Sequence, residues 1–226
     1  MRGMLMKTTV FFDLDGTLVE SGFGIRRGFA HALTSLGHPT EPDAVPEALI
    51  GPPLLEAFRD RYGLSEEEAH RGVALYRDFY PREAMLDSPP YPGVVAMLTA
   101  LRLAGLRLAV ATGKPHPYAR RIVAHLGLDP FFEAVFGAEF DGTRGRKEDL
   151  LRYAMASLAV SPEEAVMVGD RSYDILGATA AGITPVGVLW GYGTCLELRE
   201  AGATHLAADT AEATAILLSL CGRGVK

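Results

Sequence analysis

Hydrophobic positions along the chain fall into two regimes. Outside residues 21–88, short apolar runs at 10–12, 107–112, 134–137, 165–169, 183–189 and 205–207 alternate with longer stretches of helical spacing. Each run is bounded by Gly or polar residues and is too short for a buried helix, so it reads as a strand buried on both faces. The intervening stretches, 94–104, 117–126, 147–158, 173–181, 196–201 and 211–220, read as helices. Strands alternating with helices predict a doubly wound α/β core, with a parallel sheet, right-handed crossovers and helices on both faces.

Residues 21–88 show no strand pattern. Ile25, Phe29, Ala32, Leu33 and Leu36 recur at helical spacing up to Gly37, and Leu54, Leu55, Phe58 and Tyr62 form a second stripe after a Pro-rich joint. Ser65, followed by three glutamates, predicts an N-cap with acids in the first turn of a third helix that runs to Pro81. The expected organisation is a core of residues 1–20 and 89–226, with 21–88 as a small all-helical insertion after the first strand.

Polar residues at the carboxyl ends of the strands carry the candidate chemistry, because ligands of open α/β sheets bind there. After Val10-Phe11-Phe12 come Asp13 and Asp15, which side-chain alternation would put on one face. Two carboxylates at one mouth repel and call for a hard divalent cation such as Mg2+ between them. Thr112-Gly113-Lys114 follows the second strand, where a hydroxyl and backbone amides can hold phosphate oxygens. Lys147 opens a helix, an unfavourable place for a cation unless an anion needs it, with Arg144, Arg146 and Lys114 as competing cations. Asp170 ends the strand 165–169 and Asp174 follows four residues later, so that Asp170 can complete a metal shell and Asp174 can support it.

An acid at a strand end, a Thr-Gly turn or a lysine at a helix start is ordinary when taken alone. Together and in this order, the four stretches resemble the four signatures of the haloacid dehalogenase-like hydrolases: Asp13-Leu-Asp15-Gly-Thr-Leu, Thr112, Lys147, and Gly169-Asp170 with Asp174. Ile50-Gly-Pro-Pro-Leu54, Tyr91-Pro-Gly93, Ala111-Thr-Gly-Lys-Pro115 and Trp190-Gly-Tyr-Gly193 look like the phosphoglycolate phosphatase-like branch, which includes members assigned as 5'-nucleotidases. The resemblance implies a Rossmann-like core with a helical cap. It implies a Mg2+-dependent phosphomonoesterase in which Asp13 is the nucleophile, Asp15 the acid and base, Thr112, Gly113 and Lys147 the phosphate-binding groups, and Asp13, Asp15, Asp170 and Asp174 the metal site. Its best-matching substrate is 2-phosphoglycolate, with nucleoside monophosphates as the alternative. Gly113 departs from the family pattern, where Ser or Asn is common.

Composition narrows the alternatives. A net charge of −6 and the lack of a basic cluster argue against a nucleic-acid partner. No apolar run is long enough to span a bilayer, residues 1–7 show no signal-peptide pattern, and two cysteines fit a reducing cytoplasm. A small phosphate ester is the expected partner, and the chain is expected to be a monomer or homodimer. A dehalogenase would not need an acid at Asp15. A phosphonatase would need a cap lysine, and none lies between Lys7 and Lys114. A sugar phosphomutase or a non-catalytic binding module would keep the same core.

Overall fold

The computed structural model describes residues 7–223; residues 1–6 and 224–226, which hold Lys226 and most of the segment read for a signal peptide, lie outside the described residues. The chain divides into two compact units, one running to Val19 and again from Pro90, the other Glu20–Pro89.

The first unit is built on a six-stranded sheet: β1 Thr9–Phe12, β2 Arg107–Pro115, β3 Ala134–Ala138, β4 Ala165–Gly169, β5 Thr184–Val188 and β6 Leu206–Ala207. The order is β3-β2-β1-β4-β5-β6 and every pair is parallel. All four β1 side chains are buried, and since neighbouring side chains face opposite ways, both faces of the sheet are covered. One face packs Phe11, Ala109 and Met167 under Leu150, Leu151 and Ala178. This is the doubly wound α/β core that alternating apolar runs predict.

β1 is the middle of the sheet, and its register aligns the residues that matter. Phe12 stands beside Val110 of β2 and Val168 of β4, so the loops after β1 and β4 leave the same edge side by side. The β2–β3 pairing runs in register to Thr112 opposite Gly137 and then slips, with Pro115 opposite Ala138. This bulge re-aims the side chain of Lys114, as bulges beside functional sites commonly do. Lys114 is buried as a result.

The regular elements of Glu20–Pro89 are all helical: α1 Gly22–Ser35, α2 Leu54–Glu56 continuing into a π-helical turn Ala57–Arg61, and α3 Glu66–Glu83. Phe29 of α1 meets Phe58 at 5.0 Å and Tyr76 of α3 at 5.4 Å between ring centroids. Ser65 caps α3 through a reciprocal pair with Glu68. That helix runs on past Pro81 to Glu83: the ring removes one hydrogen bond and crowds the preceding turn, and neither effect stops the two residues that follow it.

Candidate active site

The site is assembled from loops that leave the sheet edge and from helix α4, Lys147–Leu158. β1 ends at Phe12, and the Asp13 amide extends the pairing by one bond to the Val168 carbonyl at 2.9 Å. Gly16 then turns the chain with φ +82°, and a Cβ there would meet Asp170 Oδ2 at 2.2 Å. Glycine is required both for the left-handed backbone and for the space.

Asp13 and Asp15 leave this loop toward different lysines. Lys147 Nζ lies 3.1 Å from Asp13 Oδ1 and 2.7 Å from Asp174 Oδ1, and it donates to the Ala111 carbonyl at 2.9 Å. Lys114 Nζ donates to both oxygens of Asp15, at 3.0 and 2.8 Å. The other cations considered for the Lys147 position are engaged elsewhere. Arg144 pairs with Glu139 and lies 4.4 Å over the Tyr153 ring, and Arg146 sits 3.6 Å from Glu148.

Asp170 and Asp174 are buried beside this pair. Asp170 Oδ1 accepts from the Thr17 hydroxyl at 3.0 Å and Oδ2 from the Tyr192 amide at 2.9 Å. Asp174 Oδ2 accepts from the Arg171 amide at 3.1 Å at the start of helix α5, Ser172–Ala180. Oxygens of Asp13, Asp170 and Asp174 lie within 4.8 Å of one another. The sequence reading also expects Asp15 among the metal ligands. Its carboxylate is not in this cluster, and both of its oxygens accept from Lys114 instead. Thr112 is buried beside the bulge and accepts from the Lys114 amide at 3.2 Å, whereas Gly113 is exposed.

Asp170 and Asp174 are buried next to each other and to a third carboxylate, which disfavours their charged forms. Burial, then the charges of Asp174 and Asp13, push the Asp170 carboxyl up to about 8. Burial also raises Asp174, to about 6, against the pull of Lys147. Lys147 is itself opposed by burial, but Asp13 and Asp174 more than offset that and hold its ammonium charged.

Residues 7–182 match the haloacid dehalogenase-like hydrolases, a family described as hydrolases. The chain belongs to this family. Among its relatives, the Tyrosine-protein kinase PtkA of Mycobacterium tuberculosis is 46% identical over 184 residues, 81% of this chain and 62% of that protein, so the chain spans less than two thirds of that relative's length. A 5'-nucleotidase of Pseudomonas aeruginosa is 41% identical over 211 residues, 93% of this chain and 95% of the relative. A solved structure described as a predicted phosphatase from Clostridium acetobutylicum superposes with a TM-score of 0.90 at 34% identity, covering 95% of this chain and 100% of that one.

Against the haloacid dehalogenase-like pattern, the structure adds three residues that sequence reasoning passed over. In the sequence Thr17 stands only as part of the first signature, and Trp190 and Tyr192 only as part of a stretch that marks the branch, with no role at the site. All three reach the site through hydrogen bonds, with Trp190 Nε1 donating to the Thr17 carbonyl at 3.0 Å.

Proposed function

We propose that this chain is a Mg2+-dependent phosphomonoesterase that hydrolyses a small phosphate ester through an aspartyl-phosphate on Asp13. The observation that carries this reading is the cluster of Asp13, Asp170 and Asp174 around Lys147. Two of its oxygens, Asp13 Oδ1 and Asp174 Oδ1, are buried and face the Lys147 ammonium at 3.1 and 2.7 Å. One ammonium leaves the charge of three clustered carboxylates incompletely balanced when they ionise, and an all-oxygen set suits a hard divalent ion. Asp13 and Asp170 would hold the ion, with Asp174 in support. When bound, it supplies positive charge against the phosphoryl oxygens and keeps Asp170 ionised.

Asp13 attacks phosphorus while Asp15 gives its proton to the leaving alkoxide oxygen. Asp15 then takes a proton from the water that attacks the acyl-phosphate, which releases phosphate and restores both carboxyl groups. Lys147, the Thr112 hydroxyl and the Gly113 amide hold the equatorial oxygens, where transition-state charge must be balanced. Lys114 keeps Asp15 aimed.

Two esters lead as substrates. The resemblance to the phosphoglycolate phosphatase-like branch favours 2-phosphoglycolate, and the nearly full-length likeness to a protein named 5'-nucleotidase favours a nucleoside monophosphate. No helix among the described residues is long and apolar enough to cross a membrane, and the reading has no membrane or nucleic-acid partner. Free Cys195 and Cys221 fit a reducing cytoplasm.

The test is phosphate release from 2-phosphoglycolate, nucleoside monophosphates, sugar phosphates, pyrophosphate and phosphotyrosine, each with Mg2+ and with EDTA. Metal-dependent turnover that strongly favours one ester is expected. Folded protein that releases nothing from any of them in Mg2+ overturns the reading.

A further inference from the structure

We propose that Trp190-Gly191-Tyr192-Gly193, the segment after β5, is a clamp that fixes Asp170 against the β1 loop, and that Trp190 is the positioning residue on which divalent-cation affinity depends. The inference rests on the metal-dependent reading above and goes beyond it, because none of these four residues belongs to the metal shell or to the four signatures.

Three contacts converge from this short segment on the two loops that carry the carboxylates. The Tyr192 amide donates to Asp170 Oδ2 at 2.9 Å. Trp190 Nε1 donates to the Thr17 carbonyl at 3.0 Å, and the hydroxyl of the same Thr17 donates to Asp170 Oδ1 at 3.0 Å. Between them Gly191 packs so closely that a Cβ would lie 2.3 Å from the Gly16 carbonyl and 2.5 Å from Asp170 Cβ. Tyr192, Asp170, Thr17 and Trp190 therefore form one continuous chain of hydrogen bonds linking the loops after β1, β4 and β5.

A packing role needs only the indole ring. The N–H, aimed at a carbonyl 173 positions away in sequence, does something more specific. It fixes the Gly16-Thr17 turn and so sets where the Thr17 hydroxyl meets Asp170. Both Asp170 oxygens are then held before any cation arrives, and the cost of ordering that carboxylate is already met in the fold. Outer-shell partners of metal ligands commonly carry tenfold to hundredfold in affinity.

The sequence offers a direct probe, since Trp190 is the sole tryptophan. Mn2+ binding to the full chain is measured from the electron-spin-resonance signal of the free ion, for the wild type and for Trp190→Phe, which keeps an aromatic ring and loses the N–H. Roughly tenfold weaker binding is expected, with the circular dichroism spectrum retained. Unchanged Mn2+ affinity in the folded variant overturns the inference. If Trp190→Phe does not fold, Thr17→Val, which removes the hydroxyl donor at near-constant shape, is expected to weaken Mn2+ binding in the same way, and unchanged affinity there has the same overturning force. In the wild type, Mg2+ is expected to change the tryptophan emission saturably. An emission indifferent to Mg2+ in a protein that binds Mn2+ also overturns the clamp. A wild type that binds no Mn2+ at millimolar concentration instead brings down the metal-dependent reading, and the clamp with it.

Discussion

Lys114 donates to both carboxylate oxygens of Asp15, at 2.8 and 3.0 Å, from the bulge that ends β2. Both side chains are largely withdrawn from water, 5% and 15% exposed, so neither has a ready alternative partner in solvent. The pairing separates the work of the two acids in the first loop. Asp13 faces Lys147 and the other carboxylates, while Asp15 is oriented on its own.

Replacing Lys114 with Met should therefore cost catalysis more than binding. General acid–base groups contribute about 10²–10⁴ in rate, and a misaimed one forfeits part of that. A fall in kcat of roughly a hundredfold is expected, with KM changed little and partial recovery in Lys114→Arg. Steady-state kinetics with Mg2+ on the best substrate decide it. A variant with wild-type kcat shows that Asp15 needs no such partner.

Asp13→Asn should abolish turnover and leave the fold intact, because the amide cannot act as the nucleophile. The same change removes one of the two charges that raise the Asp170 carboxyl, so the melting temperature of the metal-free variant should fall less steeply than the wild type's as pH climbs toward 8. Phosphate-release assays and thermal melts in EDTA report the two effects separately. Residual activity near the wild-type level would remove Asp13 from the centre of the chemistry.

The parts of this site that were legible in the sequence are those tied to local patterns. Asp13, Thr112 and Asp170 follow apolar runs whose strand character is plain, and a parallel sheet brings strand ends to one edge. Lys147 was found because a cation opening a helix is out of place. The expectation that Asp13 and Asp15 share a face rested on strand alternation, and it misses because β1 ends at Phe12 and both acids lie in a loop. The bulge that turns Lys114 inward has no apolar period to announce it. Thr17, Trp190 and Tyr192 meet the site through hydrogen bonds spanning 153, 173 and 22 positions, contacts that exist only once the sheet has set three loops side by side.

Lys147→Met should destabilise the metal-free protein sharply. It removes the ammonium that stands between Asp13 and buried Asp174, leaving their two buried Oδ1 atoms without that partner. Breaking one partner from a buried ion pair typically costs about 3–5 kcal/mol. Urea unfolding in EDTA should show a loss of that order, and saturating Mg2+ should recover a good part of it by neutralising the same carboxylates. A loss under about 1 kcal/mol would mean that the acids are relieved by another route.

The metal-free protein should also lose stability as pH rises. Burial and the neighbouring carboxylates raise Asp170 to about 8, and burial raises Asp174 to about 6, both above the ordinary value of 3.8. A carboxyl raised in the folded state favours folding while it is protonated, so its contribution is full below pH 4 and drains away as pH climbs through the folded value. Between about pH 5 and 8 the melting temperature in EDTA should therefore fall, after allowance for the other groups that titrate in that range. With saturating Mg2+ the fall should shrink or vanish, because the cation binds the ionised carboxylates and moves their protons off at lower pH. The affinity for Mg2+ should in turn rise over the same interval, since each bound ion must displace protons that the fold otherwise retains. Parallel melts in EDTA and in Mg2+ across this range measure both sides of the linkage, and identical slopes in the two series would show that the cation does not bind at Asp170 and Asp174.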